Sequence, residues 1–274
     1  MCCLNFDEAT FYTSSHIKST PTMKSVINPE YSHLADDFKK VIEGDYTPLK
    51  VYCDKRNRVE LIEVGGRKFV VKRYRHLPPA LGIIYTFFRK TKARKAYEHA
   101  LLLLDKGIST PKPAAYYERK RFGIFSDGWF ISEYMNLPTL LESFYHGGFT
   151  PEEHHAAAIQ LSEFTAKLHS AGIQPLDYNT SNIMYRKEGN EFQFALIDIN
   201  RMRFGRVPGL KDSMRAFFQI GIIPSDYIDL LTPYILQRGF NFEASLYQIL
   251  RHQRRMNRKR SFKAMLHRLF RRNK

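Results

Sequence analysis

Apolar and polar residues alternate with period two over residues 49–53, 59–64 and 68–74, which predicts three short strands. Residues 54–58 between the first two are turn-like, and Gly65-Gly66 is a two-residue hairpin signal between the second and third, so the three form an antiparallel meander. The period then changes. Tyr97, Leu101 and Leu104 fall at i, i+4 and i+7, predicting a helix over 92–106 that Gly107, Pro111 and Pro113 stop. Strand-like segments return at 114–117 and 129–134. A second helix starts at Thr150 as N-cap, with Pro151 in its first position and Glu153 closing a capping box; Ala157, Leu161, Phe164 and Leu168 form its apolar face and Gly172 ends it. A loop over 174–181 leads into a hairpin, 183–185 with 192–197, around Glu188-Gly189-Asn190, and the remainder reads as helices. Residues 1–45 are mixed and polar and read as an irregular arm. The expected organisation is this arm, a small β-rich lobe over 46–135, a mostly helical lobe over 136–250 and a tail over 251–274. The fold class is α+β, with two lobes.

Composition changes this picture little. A chain of 274 residues with 43% hydrophobic residues, 21 Phe and 16 Tyr can bury a sizeable core. Its longest apolar runs, around 82–88 and 101–104, are far shorter than the ~20 residues a membrane span needs, and no secretory signal is evident. The three cysteines, Cys2, Cys3 and Cys53, have neither disulfide-framework nor zinc-ligand spacing; Cys2 and Cys3 read as reduced thiols on a frayed end. Charge is more telling. The net charge is +16, and residues 251–274 contain eleven Lys and Arg and no acid, which points to polyanions. Phe262, Met265, Leu266, Leu269 and Phe270 form a stripe within that tail, which suits either an interfacial amphipathic helix or a last core helix with a solvated basic end.

The candidate chemistry lies on a few polar residues. Asp198 closes the apolar strand before it, so a rigid element delivers its carboxylate. Asp177 and Asn182 are five apart on the loop after the second helix, a spacing that resembles the catalytic loop of kinases, where the Asp orients an acceptor hydroxyl and the Asn holds Mg²⁺. Asn182 and Asp198 are hard oxygen ligands that suffice for that ion once phosphates and water complete the shell. Phe69-Val70-Val71-Lys72 resembles the kinase strand whose Lys meets the α- and β-phosphates of ATP, and Glu98 in the next helix is the natural carboxylate to fix it. Residues 129–135 read as the strand running into a hinge, where backbone groups of Glu133 and Met135 meet the adenine edge. No Gly-x-Gly-x-x-Gly precedes Lys72; Arg56 or Arg58 either replaces it at the phosphates or belongs to a solvated turn.

Together these residues resemble the lipopolysaccharide kinase family, over roughly 51–204. The resemblance rests on Arg56-Asn57, on 69–73, 85–90, 107–111 and 168–173, on Leu176-Asp177-Tyr178, on Asn182-Ile183 and on 196–201. It implies a bilobal protein-kinase-like fold and ATP- and Mg²⁺-dependent phosphorylation of a Kdo or heptose hydroxyl in a lipid A–core glycolipid. It further implies a protein on the cytoplasmic face of a bacterial inner membrane, and the basic tail, where its stripe is interfacial, would hold it to that anionic surface. Two departures stand out. Pro175 replaces a His common two residues before the loop Asp, and Asp198-Ile199-Asn200 stands for Asp-Phe-Gly. A peptide acceptor is disfavoured: only 76 residues follow Asp198 and no Ala-Pro-Glu landmark is among them. The rivals are a protein or small-metabolite kinase of the same fold and a membrane-binding pseudokinase. A nucleic-acid-binding protein has only net charge in its favour, and no nucleic-acid partner is expected.

Overall fold

The computed structural model describes residues 21–75, 77–145, 147–220 and 227–271. Cys2 and Cys3 lie outside them, as do the side chains of Met265, Leu266, Leu269 and Phe270.

The first lobe is one antiparallel sheet. Its strands are β1 (Thr22–Ile27), β2 (Lys50–Asp54), β3 (Asn57–Val64), β4 (Arg67–Tyr74), β5 (Pro113–Arg121) and β6 (Ile124–Glu133), in the spatial order β1-β5-β6-β4-β3-β2. The expected meander is β2-β3-β4. Both residues of its Gly65-Gly66 turn have positive φ, 57° and 71°, the geometry a tight two-residue hairpin requires. β5 and β6 are longer than their apolar segments suggest, because the pairing continues through polar residues to Arg121 and Ile124.

Residues 21–45 are not an irregular arm where they are described. β1 pairs with β5 at the sheet edge, a 3-10 turn follows over Pro29–Leu34, and α1 (Ala35–Glu43) packs on the sheet. The physical reason is a short amphipathic stripe, Phe38, Val41 and Ile42, with Asp36 and Asp37 in the first turn and Gly44 as a left-handed C-cap. Phe38 and Tyr31 meet Phe69 edge-to-face at centroid distances of 5.2 and 5.7 Å. The other face is covered by α3 (Lys92–Asp105), whose Ala93 and Tyr97 pack on Tyr74 and Tyr116. A helix absent from the sequence reading, α2 (Pro79–Phe87), lies against β6. Its Gly82 permits the approach, since a Cβ there would stand 2.7 Å from the Phe125 carbonyl oxygen.

The second lobe is mostly helical. α4 (Leu140–Tyr145) and α5 (Pro151–Ser170) precede the strand β7 (Gln174–Pro175). The capping box of α5 is formed in both directions, Glu153 N–H to Thr150 Oγ1 at 3.2 Å and Thr150 N–H to Glu153 Oε2 at 2.9 Å. The hairpin of β8 (Ile183–Glu188) and β9 (Glu191–Leu196) follows, then β10 (Met202–Arg203), α6 (Leu210–Ile220), α7 (Tyr227–Arg238) and α8 (Phe242–Arg271). Leu161, Leu168, Phe217, Leu231 and Tyr234 form the centre of its core. Residues 251–271 of the basic tail are the distal part of α8. Of its stripe, only Phe262 has a described side chain, and it is exposed.

The lobes are stitched at the start of β5. Leu196 N–H donates to the Ser109 carbonyl at 2.9 Å and Thr110 Oγ1 donates to the Leu196 carbonyl at 2.7 Å. Both bonds fix the end of β9, and so the residue that follows it.

His169 is fully buried, with Nδ1 2.7 Å from Tyr234 Oη, and burial pushes its pKa down to about 3. The unfolded chain protonates this imidazole below about 6.5 while the folded chain keeps it neutral, so stability falls as the pH drops from about 6.5 towards 3. Each pH unit in that window costs roughly 1.4 kcal/mol through this group. Urea midpoints measured between pH 7 and 4 should therefore fall more steeply for the wild type than for His169→Gln.

Candidate active site

Asp198 follows β9 with φ of 54°, a left-handed conformation unusual outside glycine and least costly for Asp and Asn. Its Oδ1 receives Lys72 Nζ of β4 at 2.6 Å and the Asn200 side-chain amide. Lys72 sits mid-strand opposite Phe130, so the sheet fixes its backbone. The Asn that replaces the usual Gly thus has a role of its own, since its amide steadies the Asp198 carboxylate.

The second half of the site is the loop at Asp177. Leu176 N–H donates to the Arg201 carbonyl at 2.9 Å, and β7 pairs with β10 through Pro175 and Met202. Pro175 therefore occupies a position where pairing with β10 fixes the chain just before Asp177. Asn182 Nδ2 donates to the Asp177 carbonyl at 2.9 Å. That bond turns the amide so that Oδ1 is left as the free acceptor, the atom a hard cation takes. Asp177 is only loosely held, by Asn179 Nδ2 at 3.4 Å and Arg201 Nη1 at 3.6 Å. Asp177, Asn182, Asp198 and Arg201 line one small pocket.

Glu98 is not brought to Lys72. Its carboxylate is held by Lys90 and by Arg94, both at 2.8 Å. Arg94 is one turn earlier on the same helix, so i,i+4 pairing captures the acid locally. Burial, the largest single cause, pushes the Glu98 pKa up, but the two cations together outweigh it and hold the carboxyl below its ordinary pKa. The adjacent residue, His99, faces the site instead: its Nδ1 donates to the Ile199 carbonyl at 2.7 Å and its ring packs on Phe204. Burial, the largest cause, lowers its pKa and favours the neutral ring.

Of the two arginines in the β2–β3 turn, Arg58 is engaged elsewhere, at 2.6 Å from the buried Glu60 and 3.3 Å from Asp54. Arg56 makes no ion pair among the described residues, and its charge reaches the cleft. Sequence reasoning missed Lys92. The first residue of α3, it lies 5.9 Å from the Tyr74 ring centroid while Lys72 lies 5.7 Å from the same ring. Burial is the main reason its pKa is lowered, with Arg56, Lys72 and Arg201 acting in the same direction and Asp198 against them. The only available signal was its place behind Thr91, which caps the helix. Tyr74 itself is wholly buried, and burial first, then the Asp198 charge, keep its phenol neutral.

At the hinge, Glu133 N–H is spent on the Lys112 carbonyl and Tyr134 N–H on the Lys68 carbonyl, both at 2.9 Å. Met135 N–H donates to no backbone carbonyl among the described residues.

A cleft between a small antiparallel lobe and a helical lobe, with a strand Lys, a loop Asp and Asn and a strand-end Asp, defines a phosphotransferase of the kinase class. The model of the "Lipopolysaccharide kinase (Kdo/WaaP) family" matches residues 83–234, more than half of the chain, and the chain belongs to that family. Among solved structures it is similar to "WaaP in complex with acyl carrier protein", at TM-score 0.59 and 19% identity over 85% of this chain and 98% of that one, a likeness of fold. No curated protein matches.

Lys92→Met should weaken binding of a nucleoside triphosphate roughly tenfold in calorimetry, the value of one charge-assisted contact. Arg58→Ala should leave that affinity unchanged and lower thermal stability, because Glu60 loses its cation.

Proposed function

We propose that this kinase transfers the γ-phosphoryl group of ATP to a sugar hydroxyl, Kdo or heptose, in the inner core of a lipid A precursor. One observation carries the reading: Lys72 and Asp198 meet at 2.6 Å in the cleft whose floor holds Asp177 and Asn182. Only residues 204–209 connect β10 to α6, which leaves no room for a peptide-docking activation segment and favours a sugar acceptor.

The residues fit a magnesium–nucleotide. No group of three or more His, Cys, Asp or Glu among the described residues forms a metal centre of its own. An ion with two protein ligands, Asn182 Oδ1 and the Asp198 carboxylate, and with phosphates and water for the rest, matches Mg²⁺ preferences. Bound Mg²⁺ and ATP supply a divalent charge and the transferable phosphoryl group. Lys72 neutralises charge on the phosphates, and Lys92, Arg56 and Arg201 extend the cationic wall, where a glycine-rich loop would present backbone N–H groups instead. Asp177, weakly engaged and 43% exposed, orients the acceptor hydroxyl and accepts its proton. The Glu133 carbonyl and the Met135 N–H take the adenine edge. Glu98 has no direct part in this arrangement.

No helix of the described residues is long and apolar enough to cross a membrane. Peripheral attachment through the basic end of α8 would bring the cleft to a lipid-embedded acceptor, each cation near an anionic leaflet adding about 1 kcal/mol.

Incubation with ATP, Mg²⁺ and purified lipopolysaccharide precursors should add one phosphate to the acceptor, read by mass spectrometry. Asp177→Asn should lower turnover by at least about a thousandfold while nucleotide affinity stays within twofold of wild type. Wild-type turnover by that variant would remove Asp177 from the chemistry.

A further inference from the structure

The sheet end farthest from the hinge carries an apolar surface that the kinase chemistry does not use. On α2 and just beyond it, Phe87 and Phe88 are 70% and 79% exposed, and Ile83 is exposed beside them. At the β5–β6 turn Phe122, with φ of 51°, is 76% exposed. α2 packs on the start of β6, where Thr86 Oγ1 accepts Phe125 N–H at 2.9 Å, so the helix and the hairpin tip form one rigid surface. Three large rings are thus held outward, in water, on a firm base.

The charge around them is mostly positive. Residues 75–97 and 119–126 contain no acid. Arg89 and Arg121 are exposed and have no acidic partner among the described residues. Between α2 and β6 opens a cleft of about 480 Å³ lined by Arg73, Arg75 and Arg121 together with Ile83 and Ile124; Arg73 is paired with Asp127 and Arg75 with Asp54, which leaves Arg121 as the lining arginine without an acidic partner among the described residues.

We propose that this face inserts into the headgroup layer of an anionic phospholipid bilayer, with Phe87, Phe88 and Phe122 entering the acyl boundary and Arg121 and Arg89 meeting lipid phosphates. Protruding aromatic tips ringed by arginines suit a yielding, negatively charged lipid interface. A folded partner would need matching hollows for three separate rings. Position also matters: Phe88 precedes Lys92 by four residues, at most about 15 Å of chain, so the inserted edge lies beside the phosphate-binding wall. Lipid binding of this face is independent of which acceptor the cleft phosphorylates.

Flotation of the full chain with phosphatidylcholine vesicles, with and without phosphatidylglycerol, tests it. Anionic vesicles should bind the chain, and the combined Phe87→Ser, Phe88→Ser and Phe122→Ser variant should lose at least about tenfold in affinity. The loss should persist when Arg254, Arg255, Arg258 and Lys259 of α8 are changed to Gln. Arg121→Glu should reduce the preference for anionic lipid, and inorganic phosphate should not substitute for vesicles. Because the native Trp129 is buried, Phe88→Trp gives a reporter of insertion: brominated acyl chains should quench the introduced indole. Unchanged vesicle binding by the triple serine variant, or fluorescence of the Phe88→Trp variant insensitive to brominated lipid, would overturn the proposal. Phosphotransfer to a detergent-solubilised acceptor is read separately; its absence would sink the sugar-kinase reading and leave the lipid result standing.

Discussion

The contact between Lys72 and Asp198 joins the two lobes through groups that the backbone of each holds in place. Lys72 belongs to a central strand of the six-stranded sheet, and Asp198 follows a strand whose end is held from the other lobe by Ser109 and Thr110. The ammonium is largely buried, at 16% exposure, and a charge in that setting has to be matched. Arg56, Lys72 and Arg201 all act on Lys92, with the Asp198 carboxylate opposing them, and Arg201 also faces Asp177. The cleft is thus over-supplied with positive charge. An arrangement of this kind is tolerable in a free protein and favourable once a polyanion enters, which is the electrostatic logic of phosphoryl transfer.

The departures from the usual kinase pattern follow from the same constraint. Pro175 lacks a backbone donor, but at β7 the loop is secured by Leu176 N–H on the Arg201 carbonyl one residue later. Asn200 costs the backbone freedom of a glycine and returns a side-chain amide to Asp198. The left-handed strain therefore falls on Asp198 itself, where its neighbours over-determine it. With no glycine-rich loop, side chains on the β2–β3 turn and the first residue of α3 form the cationic wall.

Much of this was legible in the sequence because the signals were local and redundant. The Gly65-Gly66 hairpin, the Thr150–Glu153 capping box and the five-residue spacing from Asp177 to Asn182 each encode their own geometry, and the structure carries the first two as read. Three features were not legible, for different reasons. Phe38, Val41 and Ile42 form a stripe barely two turns long inside a polar stretch, which average composition hides. α2 lacks polar alternation, so its apolar run carries no period to read. Glu98 and His99 are neighbours about 100° apart on a helix, and which one faces the cleft depends on how α3 rotates against the sheet, a tertiary fact. Lys90 and Arg94 settle it by holding the carboxylate on the far side.

The form of α8 bears on how the basic end is used. It is a single helix of 30 residues, about 45 Å from end to end. Its first turns are anchored by the buried Ser245 and Ile249, while from Met256 to Lys259 every side chain is exposed. A flexible tail would sample many heights above whatever it touches. A stiff rod clamped at one end keeps the exposed Arg258 and Lys259 at a fixed stand-off from the helical lobe, so it would act as a spacer for whatever polyanion they meet.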